Sequence, residues 1–164
     1  TSLARYDPAT NTLEQTDIEL PGSLLRAVTE PDAEGRVYAV SRDPAVFFTL
    51  EPDGKVAELA PAQGYTASMA LAPDGGTFYY IPDAHGGAWT HGTSLYAVDT
   101  ATGESRVVVE LNPLVEERYG LRAGGTYSVA VGDEGATIYV VLNAGDPATR
   151  DSFGEVILAV VTLP

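Results

Sequence analysis

Three stretches of this chain repeat one another, and that periodicity restricts the fold more than anything else in the sequence. Residues 68–80 read SMALAPDGGTFYY, and residues 128–140, SVAVGDEGATIYV, match them position for position. Residues 27–39, AVTEPDAEGRVYA, are a looser copy with one extra residue. Each copy is an apolar run, an acidic turn carrying Gly, and a second apolar run. Gly accepts a positive φ at no steric cost, so such a turn joins two antiparallel strands. Tyr38, Tyr79 and Tyr139 then hold equivalent places on the second strand of each hairpin.

A second strand–turn–strand signature goes with the first. Residues 95–104 (LYAVDTATGE), 48–55 (FTLEPDGK) and 4–11 (ARYDPATN) each end one strand in a turn. The strands that leave those turns are RVVVEL at 106–111, VAEL at 56–59 and TLEQT at 12–16. Two hairpins in series make one four-stranded antiparallel sheet. Tyr38 and Tyr79 are 41 residues apart, and a four-stranded repeat takes about 40–50 residues. The 60 residues from Tyr79 to Tyr139 contain two insertions, 82–93 and 112–125. One short helix of about two turns is expected over residues 113–119, where Pro113 suits the first helical position.

The segments LAPDGGTFY (71–79) and LYAVDTATG (95–103) resemble the bacterial β-propeller repeats of the YVTN and PD40 type. The resemblance covers most of the chain. It implies an all-β fold, a β-propeller of four-stranded antiparallel blades, with about three blades and incomplete ends. It speaks to fold and hardly to function, because such repeats serve enzymes, binding proteins and scaffolds alike. No Trp-Asp dipeptide ends a blade, which argues against WD40 repeats.

The expected division is the end of one blade at 1–21, a blade at 22–62, a blade at 63–112, and a connecting segment with an incomplete blade at 113–164. The expected strand count is 13, arranged as two, four, four and three. An unpaired terminal strand is an aggregation hazard, and propellers close with about 4–8 blades. The chain is therefore expected to be completed by a complementary propeller chain or a missing segment. Closure as a homo-oligomer is the second option. Thr1 stands where an initiator Met would, which a processed or trimmed chain explains.

Charge narrows the partners. Asp and Glu number 23 against 9 Lys and Arg, a net charge of −14. That field repels a phosphate backbone, so nucleic acid is not an expected partner. No apolar run approaches the roughly 20 residues of a membrane helix. High net charge first serves solubility; it also attracts basic partners and cations, Ca²⁺ or another divalent metal among them. The absence of Cys removes disulfides, thiolate metal sites and Cys nucleophiles. It fits either side of a membrane, and a secreted or periplasmic setting is the expectation.

Three places are candidates for chemistry. The insertion at 82–93, PDAHGGAWTHGT, holds both histidines, His85 and His91, and the only tryptophan, Trp89. Imidazoles bind metals or move protons near neutral pH, Trp89 can stack on a flat ligand, and Asp83 can orient an imidazole. The plainer alternative is a structured surface loop. Residues 143–155 occupy the equivalent position in the last blade, and Asp146, Asp151 and Glu155 there are hard oxygen ligands suited to Ca²⁺. The alternative is a solvated acidic loop. Third, Arg26, Tyr65 and Tyr127 lie at the starts of the first strands, facing the channel mouth, where an anionic or sugar-like ligand would meet them. Packing between blades is the alternative. Thr1 as an N-terminal nucleophile has no further support.

Function follows in two versions. The first is a ligand- or protein-binding module. The second is a lyase or hydrolase of secreted carbohydrate or small-molecule metabolism, with His85, His91, Tyr127 and Arg26 at the loop-rich channel mouth. No complete set of nucleophile, base and stabiliser can be assembled, which favours the first.

Overall fold

The computed structural model describes residues 2–149 and 154–164. These form four antiparallel sheets in which each strand pairs with its neighbours in sequence. A hairpin of β1 (Ser2–Asp7) and β2 (Thr12–Glu19) comes first. A four-stranded sheet follows: β3 (Ala27–Val28), β4 (Val37–Val40), β5 (Val46–Leu50) and β6 (Val56–Pro61). The next has β7 (Met69–Leu71), β8 (Thr77–Tyr80), β9 (Ser94–Asp99) and β10 (Ser105–Glu110). The last has three strands, β11 (Arg122–Val131), β12 (Thr137–Gly145) and β13 (Glu155–Thr162). The all-β expectation of four-stranded blades with incomplete ends is met.

The turns work as the sequence requires. Gly75 and Gly135 both adopt φ 72° in the acidic turns that join β7 to β8 and β11 to β12. A side chain at either place would sit in the left-handed region that L residues rarely occupy.

Alternation along the strands then sorts side chains between neighbouring sheets. From β4, Tyr38 and Val40 face the third sheet, and Ala39 faces the hairpin. From β8, Phe78 and Tyr80 face back to the second sheet, while Tyr79 and Ile81 face the last one. The middle strands are thus buried on both faces, as the interior of a stack of blades demands. The seam between the second and third sheets is aromatic. Phe47 meets Phe78 edge-on at 5.0 Å and Tyr80 at 4.9 Å, and Tyr80 stacks on Tyr96 at 5.4 Å. Such pairs add about 0.5–1.5 kcal/mol each beyond their buried area. The seam between the third and last sheets is aliphatic apart from Tyr79, with Leu95, Ala97, Ile138, Val140 and Leu142.

Two helices interrupt the meander. The first, α1 (Ala88–His91), is a single turn inside the 82–93 insertion, where no helix is expected from the sequence. The second, α2 (Leu111–Tyr119), is longer than the expected 113–119. It ends at Gly120, whose left-handed φ of 66° lets its N–H donate to the Glu116 carbonyl at 2.9 Å. Asn112 pins α2 to β11: its Oδ1 accepts from the Ala123 N–H at 2.8 Å. Among the described residues, no helix is long and apolar enough to cross a membrane.

Candidate functional site

In a meander of four strands, the connections from second to third strand and from each sheet to the next emerge at one end. The acidic Gly turns lie at the other. The loop-bearing end therefore collects residues 41–45, the 82–93 insertion, α2 and the approaches to β3, β7 and β11.

Tyr65, on the approach to β7, is the centre of one cluster there. The guanidinium carbon of Arg26 lies 5.0 Å from the Tyr65 ring centroid, and that of Arg42 lies 5.3 Å from it. The His85 ring is 5.1 Å away, tilted by 46°. Backbone pairing holds these segments in place. Arg26 N–H donates to the Val40 carbonyl, Arg42 N–H to Ser23, and Ala84 N–H to Tyr65, the last at 2.9 Å. The insertion sits against β11 at Gly125, where a Cβ would come within 3.0 Å of the His85 backbone nitrogen.

A second cluster lies on the same insertion. His91 Nδ1 is 3.1 Å from the Asp83 carboxylate. Trp89 lies under the Arg122 guanidinium, 5.9 Å from ring to charge. Arg122 in turn pairs with Glu116 of α2. Hydrogen bonding from Arg122 holds the Glu116 carboxyl below its ordinary range, and the same contact raises the Arg122 guanidinium. Trp89, His91, Glu116 and Arg122 line an open groove.

The sequence candidates separate accordingly. Arg26, Tyr65 and His85 are brought together. Asp83 meets His91 and not His85, and Trp89 belongs with Arg122. Tyr127, beside a register shift in β11, is half exposed and makes no ring or cation contact with the first cluster among the described residues. Asp146 caps its own turn, its Oδ1 accepting from the Ala148 N–H at 2.8 Å. Glu155 opens β13 opposite Ala144. Asp151 and Thr1 lie outside the described residues. Among the described residues, no group of three or more His, Asp or Glu is placed to hold a metal ion. Arg42 and Arg122 were not among the sequence candidates. The signal for Arg42 is positional: it occupies the second-to-third-strand connection of its sheet, equivalent to the long insertion in the next sheet.

No family model matches the chain, and no curated protein matches it. Solved structures do, at identities that speak for fold alone. Virginiamycin B lyase from Staphylococcus aureus superposes with a TM-score of 0.61 at 10% identity, over 99% of this chain and 48% of that one. Hydrazine synthase of Kuenenia stuttgartiensis gives 0.59 at 13%, over 98% and 43%. TolB from Acinetobacter baumannii gives 0.55 at 16%, over 96% and 37%. The chain spans less than half the length of each of these structures. The likeness to the TolB and lyase propellers supports a β-propeller fold.

Proposed function

We propose that the chain is a binding module within a larger β-propeller, its last sheet covered by a further blade that another segment or chain supplies. The observation that carries this is one residue in three settings. Tyr38 is 2% exposed and Tyr79 is 5% exposed, each covered by the sheet that follows. Tyr139, at the same place on β12, is 43% exposed. Its face continues across β13 with Val156, Leu158 and Val160, all exposed, and β13 is apolar on its other face as well. A strand apolar on both faces is the pattern of one buried on both.

The experiment is hydroxyl-radical footprinting of this chain alone and of the natural protein purified from its source. Tyr139 and Leu158 are expected to be protected in the natural protein and reactive in the isolated chain. Equal reactivity in both sinks the reading. Protection that arises in the isolated chain with a doubling of mass gives the face to a second copy instead.

The ligand-binding side of this reading belongs to the loop-bearing end. A second reading, a lyase or hydrolase at that mouth, is favoured by the Asp83–His91 contact, since a carboxylate-oriented imidazole is a general-base arrangement. It predicts turnover that His91→Ala abolishes.

A further inference from the structure

Two buried side-chain polar atoms among the described residues have no hydrogen-bond partner: Arg26 Nε and Thr66 Oγ1. Arg26 lies on the Tyr65 ring. Buried polar groups are almost always paired, so the orphaned Arg26 nitrogen calls for a partner. It is able to donate to an oxygen.

Charge gives the second line. In a chain with 23 acidic residues and 9 basic ones, each cation has many carboxylates to choose from. Arg36 and Arg122 take them, in pairs with Glu51 and Glu116. Arg26 and Arg42 do not: neither forms an ion pair among the described residues. Both lie on one tyrosine ring, so their charges are at most about 10 Å apart. Two guanidinium groups without a carboxylate partner leave donors that a ligand carrying negative oxygens can satisfy. The net charge of −14 does not forbid this. At physiological salt the field of distant carboxylates is screened beyond about 8 Å, and the guanidinium groups act at contact.

We infer that Arg26 and Arg42, arranged around Tyr65 with His85 at its edge, form a binding site for a small multivalent oxyanion, a phosphate or a dicarboxylate. This deepens the ligand-binding side of the proposed function and is independent of whether a further blade covers the last sheet.

Isothermal titration with inorganic phosphate and, separately, with succinate tests it, at ionic strength matched by chloride. Saturable binding of at least one is expected, and the two arms tell phosphate from carboxylate. Arg42→Gln, at an exposed side chain, is expected to weaken binding at least roughly tenfold. Arg26→Gln weakens it as well, while Arg106→Gln, on the exposed side of β10, leaves it unchanged. Absence of binding at about 10 mM of either anion overturns the inference. So does binding that Arg42→Gln and Arg106→Gln leave alike. Footprinting of Tyr139 is unaffected by either result, so failure here is distinguishable from failure of the blade proposal.

Discussion

The two ends of the stack of sheets are finished differently. On the outer side of the first hairpin, Tyr6 pairs with Leu13 and Ala4 with Gln15, and the same face of β2 continues through Asp17 and Glu19. It is a mostly polar face with one apolar pair. On the outer side of the last sheet, Tyr139 pairs with Val160 and Val141 with Leu158. Repeat proteins keep a polar outer face where a stack meets water. By that criterion the outer face of the last sheet, more than that of the hairpin, has the character of a covered one, as the proposed further blade requires. An exposed row of apolar side chains is ordinarily an interaction surface.

Substitutions put this contrast under strain, and the largest effect is expected where burial is complete. Phe78→Ala removes a ring with no exposed surface from the aromatic seam. It should lower stability by about 3–5 kcal/mol in urea unfolding. Tyr139→Ala in the isolated chain should cost far less, and near-equal losses would mean that the outer face is already covered. Next comes Gly125→Ala. Its φ of 155° and a Cβ only 3.0 Å from the His85 backbone leave no room. A loss of roughly 1–3 kcal/mol is expected, with altered hydrogen exchange across 82–93.

A smaller effect depends on pH. Burial pushes the Tyr80 phenol up to about 12, from an ordinary value of about 10. The folded state then holds a proton that the unfolded chain has released, so stability falls as pH rises from about 10 to about 12 and levels off above it. Tyr80→Phe should flatten that decline in urea midpoints measured across the range. The smallest effect belongs to Leu158→Glu. In the isolated chain it should leave the unfolding midpoint almost unchanged, while removing whatever footprint protection the natural protein gives to Tyr139. A strongly destabilised L158E chain would show that this face is packed within the monomer.

The sheets were legible because the signal is local. An acidic turn carrying Gly, flanked by apolar runs, determines a hairpin without knowledge of anything distant, and the positions of Tyr38, Tyr79 and Tyr139 followed from it. The site was only half legible. Arg26, Tyr65 and His85 stood out as unusual residues at strand starts or in an insertion. Their meeting with Arg42 depends on how two consecutive sheets lie against each other, which no local pattern encodes. Trp89 was grouped with the histidines because they share a loop. Helix α1 turns it instead toward Arg122, whose place is set by Asn112 and α2. The both-sided apolarity of β13 was readable in principle, since VILAVV leaves neither face polar.

Arg26 and Arg42 belong to the second sheet and its connections, and Tyr65 to the approach to the third. Their stacking therefore crosses the seam at the mouth. The aromatic core below holds the two sheets by shape, whereas this joint, with Arg26 partly buried and Arg42 exposed, brings charge to an aromatic ring. A ligand bound at the mouth as proposed would therefore touch residues of two consecutive sheets and tie them together at that end.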